Sequence, residues 1–301
     1  GDVGTPVGTG AGGGGSPAPP AAAATKQRGL RGSPRPAGCC IIPAVHGNPW
    51  SLAVVVAAAF LAGMVNSVAG GGTLLSFPAL VWAGRDPLLA NATNTIALWP
   101  GSLGGFLGHR NEMRGGGRVA AALVGPSLAG GITGAVLLLS TPSETFAAFV
   151  PWLVLAAAGL LAAQEPVSRF ARRLGADGRG PSWWVGGAAF QFLVGLYGGY
   201  FGAGIGILML AALGLLGLTD IHQMNGIKNL LALSINGAAA VYFIASGAVL
   251  WSDGLPMAAA AVLGGLAGAA LARRLGRTVV RRFAVGVGIF MALSLFLRRL
   301  G

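Results

Sequence analysis

The chain has 301 residues, of which 54% are hydrophobic and 9% charged, and its mean hydropathy is +0.71. Soluble domains carry about 25% charged residues, so this composition excludes an ordinary soluble protein and predicts a polytopic membrane protein in a lipid bilayer. The formal net charge of +12 is compatible with nucleic-acid binding, but the basic residues cluster between apolar runs as membrane loops do, and we predict no nucleic-acid partner.

Residues 1–48 form a segment rich in glycine, alanine and proline, without apolar periodicity. Such a segment cannot bury enough apolar surface to fold, so we predict a disordered tail. A removable targeting segment is the alternative interpretation. The adjacent Cys39 and Cys40 lie in this tail without His or Cys partners at metal-binding spacing, and we predict no metal site and no cofactor.

Ten apolar segments follow the tail. They cover residues 50–69, 73–84, 88–109, 118–140, 144–164, 183–202, 205–217, 222–250, 255–273 and 279–298. A helix needs about 20 apolar residues to cross a bilayer, so segments 73–84 and 205–217 are too short and the other eight are predicted to span it. Each short segment follows a longer one after a glycine-rich break, as in re-entrant membrane helices.

The first break lies in GMVNSVAGGGTLLSFPAL, residues 63–80, where three consecutive glycines interrupt an apolar run that also carries an asparagine and a serine. In hydrocarbon each unpaired backbone N–H or C=O costs several kcal/mol. A break is therefore stable only if it is buried in protein or lines a polar cavity. The alternative is that these glycines only allow close helix packing.

The second half of the chain repeats this arrangement. GLYGGYFGAGIGIL, residues 195–208, matches the first break at an offset of 132 residues, which aligns Gly70 with Gly202. Beyond each break a helix carries a polar pair near its start, in NATNTIAL and NGIKNLLAL, at an offset larger by two residues. We predict an all-α polytopic membrane protein of two repeats, 49–165 and 183–298, joined by a basic linker, 166–182.

Loop charges predict the orientation of the repeats. We assign the basic loops 110–118, 165–182 and 273–282 to the cytoplasm, and loops 140–144 and 251–254, which lack Lys and Arg, to the outside. Corresponding loops then lie on opposite faces, so the repeats are inverted, each with a glycine-broken re-entrant hairpin plus three transmembrane helices. Both termini are then external, although the basic charge near each terminus argues against that placement.

The two breaks predict an anion-binding site. A helix N-terminus presents unpaired N–H groups and the positive end of the helix dipole, and glycine lets an anion approach them closely. Two such ends near the middle of the bilayer form a substrate site in transporters built from inverted repeats. The candidate substrate-binding residues are Asn66, Ser67, Gly70, Gly71, Gly72, Thr73, Asn94, Thr95, Gly202, Gly204, Gly206, Lys228 and Asn229.

Lys228 is the only lysine after the tail, and it lies within an apolar run. A charged side chain in a transmembrane segment costs about 2.5–3.5 kcal/mol even on permissive insertion scales. We interpret it as the positive charge that offsets an anionic substrate. The alternatives are that it extends to the membrane interface or pairs with Asp220.

The chain resembles the TauE/SafE family, the sulfite exporter or 4-toluene sulfonate uptake permeases, over about residues 50–298. The resemblance rests on AGMVNSVAGGGTLLSFPAL and ANATNTIALWPGSLGGFLGHR in the first half, and on GLYGGYFGAGIGILMLAALGLLG and NGIKNLLALSINGAAAVYFIASGAVLW in the second. It implies a multi-pass inner-membrane permease of about eight transmembrane segments that moves sulfur-containing anions such as sulfite or organosulfonates. The site residues above come from the physical argument and not from the resemblance.

We therefore expect a permease for a small anion that works by alternating access and is not an enzyme. A passive anion channel is the alternative. An intramembrane enzyme is disfavoured because the three histidines are scattered and no GxxxxGK[ST] stretch occurs. The sequence does not predict the direction of transport, the coupling ion or the oligomeric state.

Overall fold

The computed structural model describes residues 49–68, 70–109, 115–174, 181–275 and 277–300, together with the single positions Gly1, Gly4 and Met113. Regular secondary structure within them is all α-helical. The eleven helices of these residues are α1 (Pro49–Val68), α2 (Thr73–Trp82), α3 (Pro87–His109), α4 (Gly117–Ser140), α5 (Ser143–Ala162), α6 (Gln164–Leu174), α7 (Pro181–Tyr200), α8 (Ile205–Leu215), α9 (Ile221–Ala245), α10 (Trp251–Leu275) and α11 (Arg277–Leu300). They belong to the unit Ala44–Gly301. The predicted tail, apart from Gly1 and Gly4, lies outside the described residues.

Five helices of the described chain are long and apolar enough to cross a membrane, namely α1, α4, α5, α9 and α11. The protein is therefore a multi-pass membrane protein. Helices α3, α7 and α10 have 23, 20 and 25 residues, which is sufficient length for a span, but they are not among those five. The predicted total of eight spans stays a prediction.

The two short helices, α2 and α8, are buried in protein. They have 10 and 11 residues and so are only about 15 Å long, half of a hydrocarbon core. One apolar cluster surrounds α2 and includes Phe77 and Phe146. A second surrounds α8 and includes Met209 and Leu213. Protein contacts thus replace lipid around both short helices.

Glycines set the two most extensive helix contacts, α4 with α7 and α1 with α10. A Cβ at Gly130 or Gly134 of α4 would lie 2.4 or 2.1 Å from a backbone carbonyl oxygen of α7. On α10 a Cβ at Gly264 or Gly268 would lie 1.9 or 2.6 Å from a carbonyl oxygen of α1. Only glycine allows these backbones to approach so closely.

Side-chain contacts group one set of helix ends. Arg85, in the α2–α3 turn, pairs with Asp253 in the first turn of α10, and the neighbouring Asp86 accepts a hydrogen bond from Ser143 at the start of α5. The turns 83–86, 141–142 and 246–250 therefore lie on one side, which we call the Asp253 face.

The other helix ends are joined in the same way. Glu165, at the start of α6, pairs with Arg281 of α11 at 2.9 Å. Gly115, before α4, lies against Gln223 of α9, and Trp183 of α7 donates a hydrogen bond to the carbonyl of Leu215 at the end of α8. These ends form what we call the Glu165 face. The segment predicted as a basic linker, 166–182, begins inside α6, which packs against α8.

Candidate functional site

The first break separates α1 from α2 at the glycines that the sequence singles out. Gly70 and Gly71 have φ angles of 72° and 91°, a region that glycine adopts without a steric penalty. The chain then enters α2 at Thr73, and the amides of Leu74 and Leu75 make its first hydrogen bonds, to Gly71 and Gly72. The amides before them belong to the helix start, which has no intrahelical acceptor for them.

The second break separates α7 from α8 in the same manner. Gly202 and Gly204 have φ angles of 79° and 78°, and Gly204 caps the start of α8. Between them the carbonyl of Ala203 accepts a hydrogen bond from the Tyr197 hydroxyl at 2.8 Å. This bond satisfies a buried backbone group that the interrupted helix leaves unpaired.

Both breaks line one cavity of about 410 Å³. The cavity is also lined by α3 around Thr95 and by the first half of α9. Eleven of the thirteen candidate residues are in its wall, which are Asn66, Ser67, Gly70, Gly71, Thr73, Thr95, Gly202, Gly204, Gly206, Lys228 and Asn229. The structure thus brings together residues from both halves of the sequence. Their role in binding stays a prediction.

The remaining two candidates, Gly72 and Asn94, are not part of the cavity wall. Gly72 is buried against α1, where an added Cβ would lie 2.3 Å from the carbonyl oxygen of Ala62. Asn94 is also buried, and its Oδ1 accepts a hydrogen bond from Ser76 of α2. In this conformation both residues join α2 to its neighbours and do not face the cavity.

Lys228 contributes the positive charge of the cavity wall. It lies in the second turn of α9, and a Cβ on Gly206 would be 3.5 Å from its Cδ, so its stem lies along the first turn of α8. Asp220, which the sequence left open as its partner, is exposed and caps α9 by accepting from the amide of His222 at 2.9 Å. Lys228 thus adds its charge to the end of α8 where unpaired N–H groups already favour an anion.

Sequence reasoning missed three polar residues of the cavity wall, Ser102, Asn225 and Asn236. Asn236 lies at the second break, because its Oδ1 would be 4.0 Å from a Cβ on Gly202. The spacing of Asn225, Asn229 and Asn236 was the available signal, since residues four and seven apart share a helix face. The prediction concentrated on the polar pair beside each break and left that longer stripe unused.

Comparison with known proteins gives a consistent result. The profile of the family described as "Sulfite exporter TauE/SafE" matches residues 55–295. Among similar proteins, the "Probable membrane transporter protein ORF9" of Sinorhizobium sp is 30% identical over 252 residues, covering 81% of this chain and 92% of that protein. A "Probable membrane transporter protein" of Haemophilus influenzae is 28% identical over 243 residues, 80% of this chain and 92% of that protein. YfcA of Escherichia coli, named in the same words, is 28% identical over 255 residues, 82% of this chain and 90% of its own length.

Proposed function

Since the chain belongs to the TauE/SafE family of membrane transporters, we propose that it is a cell-membrane permease that moves a small sulfur-containing anion, sulfite or an organosulfonate, by alternating access. The anion binds between the two broken helices. The observation that carries this proposal is the single cavity that receives both breaks, one lysine and a stripe of asparagines.

Alternating access requires two halves that can exchange conformations, and the packing supports an inverted repeat. Gly130 of α4 meets the carbonyl of Phe192 of α7, and Gly264 of α10 meets the carbonyl of Phe60 of α1. These two contacts correspond under the offsets seen in the sequence, 134 residues for the glycines and 132 for the phenylalanines. Each half therefore places its fourth helix against the first helix of the other half.

The two faces support the inversion. The α2–α3 turn lies on the Asp253 face, whereas the corresponding α8–α9 turn lies next to Trp183 on the Glu165 face. The α3–α4 turn contacts α9 on the Glu165 face, and the corresponding α9–α10 turn leads to Asp253. Corresponding turns are thus on opposite sides, as an inverted repeat with re-entrant α1–α2 and α7–α8 hairpins requires. Because the basic loops belong to the Glu165 face, we propose that this face is cytoplasmic.

The chemistry of the cavity suits an oxyanion. The starts of α2 and α8 offer backbone N–H donors at the positive ends of helix dipoles. Lys228 supplies a full charge, and the amides and hydroxyls of Asn229, Asn236 and Thr95 supply further donors. These groups together replace the hydration shell that the anion leaves behind when it enters the membrane.

Exchange of anions across proteoliposomes tests the proposal. Purified protein is reconstituted into vesicles loaded with unlabelled sulfite, and uptake of labelled sulfite is followed in the presence of competing sulfonates, sulfate or chloride. We expect saturable counterflow that sulfonates inhibit. A conductance that is ohmic and without saturable exchange contradicts the proposal in favour of a channel, and chemical conversion of the anion contradicts it in favour of an enzyme.

A further inference from the structure

The two halves present different parts of their equivalent helices to the cavity. In α9 the cavity wall begins at Asn225 and includes Lys228. Their counterparts in α3, at an offset of 134 residues, are Asn91 and Asn94. Both of these side chains are buried, with 1% of their surface exposed, and neither is in the cavity wall. The cavity therefore extends along α9 toward the Glu165 face and ends along α3 before it reaches the Asp253 face.

Hydrogen bonds hold the covered end of α3 in place. Asn91 Nδ2 donates to the carbonyl of Tyr200, at the end of α7, at 2.9 Å. The buried Thr93 Oγ1 accepts from the amide of Leu250, just before α10, at 2.9 Å. Both bonds link the first half of the chain to the second.

Aromatic side chains fill the space beside these bonds. Phe201 belongs to the cavity wall, and its ring packs edge-on against Phe77 of α2 with centroids 5.3 Å apart. Phe146 of α5 packs against Tyr200 with centroids 5.6 Å apart. This aromatic layer, Phe77, Phe146, Tyr200 and Phe201, joins α2 and α5 to the second break on the side of the cavity where Asn91 is covered.

A buried ion pair adds a further link on this side. Arg85 Nη2 donates to Asp253 Oδ1 at 3.1 Å, and Arg85 Nε lies 2.7 Å from Oδ2, an ionic contact in which the N–H does not point at the oxygen. The side chains are 14% and 3% exposed. On the opposite face, Glu165 in the Glu165–Arg281 pair is 59% exposed. The burial of Arg85 and Asp253 means that the pair cannot separate unless water enters.

We propose that the Arg85–Asp253 pair and the Asn91–Tyr200 hydrogen bond form the closed gate of the cavity on the Asp253 face. When the repeats exchange conformations, the pair opens, Asn91 and Asn94 enter the cavity wall, and Asn225 and Lys228 are covered. The gate rests on the proposed transport function. A polar gate suits this task because water solvates the separated charges in the open state, whereas an exposed apolar gate gains no such compensation.

Cysteine accessibility tests the gate. In a Cys39→Ser/Cys40→Ser background, Ser102→Cys places one thiol of similar size in the cavity wall. A membrane-impermeant methanethiosulfonate reagent is added to sealed vesicles from one side at a time. We expect rapid labelling from the Glu165 face and slow labelling from the Asp253 face. Asp253→Asn should raise the rate from the Asp253 face by about tenfold or more, because loss of the pair shifts the population toward the open gate.

Two further variants complete the test. The charge exchange Arg85→Asp/Asp253→Arg should restore slow labelling from the Asp253 face, and the control Glu165→Gln should leave both rates unchanged. If Asp253→Asn does not fold, the apolar pair Arg85→Met/Asp253→Leu is used, which should keep the gate closed and abolish counterflow. A folded Asp253→Asn protein with unchanged labelling, or an apolar pair with undiminished counterflow, overturns the gate.

Labelling does not require a substrate, so the two proposals fail separately. If no anion is exchanged but the labelling pattern is as expected, the gate stands and the proposed substrate class is wrong. If sulfite exchanges normally and labelling does not respond to Asp253→Asn, only the gate is wrong.

Discussion

The aliphatic stem of Lys228 lies along Gly206, because a Cβ placed on this glycine would be 3.5 Å from the Lys228 Cδ. Gly206 is in the first turn of α8, so the side chain of α9 and the N-terminal end of α8 meet in one cavity wall. A full positive charge and a helix dipole act there on the same volume.

Removal of the Lys228 charge is expected to abolish transport. Lys228→Met keeps a side chain of similar length, and loss of a charge interaction of a few kcal/mol should lower the counterflow rate at least about tenfold. The control Arg282→Gln removes an equal charge from an exposed position on α11 and should leave the rate unchanged. Equal loss in both variants indicates a general effect of net charge and removes Lys228 from the site.

The Tyr197 hydroxyl is expected to stabilise the second break. Tyr197→Phe leaves the buried carbonyl of Ala203 without its donor, at a cost of about 1–3 kcal/mol. We expect a lower Tm in detergent, measured by the fluorescence of unfolding, and slower counterflow. Tyr242→Phe, on α9 away from both breaks, is the matched control. An unchanged Tm for Tyr197→Phe shows that water or another donor satisfies this carbonyl.

The backbone conformation at Gly204 is expected to exclude other residues. With φ of 78°, Gly204→Ala places a Cβ in the left-handed region at a cost of about 1–2 kcal/mol. Its Tm should fall. Gly125→Ala, within α4 with no atom near the added Cβ, should keep or raise the Tm because alanine favours a helix. A Gly204→Ala protein as stable as the wild type contradicts the strained start of α8.

Equivalent glycines of the two repeats are expected to be equally sensitive. Gly134→Ala and Gly268→Ala each push a Cβ to within 2.1 and 2.6 Å of a carbonyl oxygen of the facing helix. Overpacking of this kind costs about 1–3 kcal/mol or more, so the yield of folded protein and the Tm should fall in both. Gly286→Ala on α11 has open space around the added Cβ and is the control. Loss in only one of the two variants argues against equivalent repeats.

The sequence predicted the breaks and most of the cavity wall for a definable reason. Glycines with positive φ and polar residues in an apolar run are costly in a membrane, so Gly70, Gly202 and Lys228 stand out without any coordinates. Asn236 and Ser102 did not stand out, since each is one polar residue inside a helix. Their place in the wall depends on how α3 and α9 cross, where Trp99 Nε1 reaches the carbonyl of Leu233 at 3.3 Å.

The sequence by itself determined that this is a helical membrane protein with two interrupted helices and a charge between them, because hydropathy and backbone chemistry act locally along the chain. Only the tertiary structure decided which polar residues face the cavity. Asn94 and Lys228 occupy matching positions in the sequence, yet Ser76 binds Asn94 behind the wall while Lys228 lines it. Likewise, Arg85 and Asp253 are 168 residues apart, and only the packing of α10 beside α3 brings their charges together.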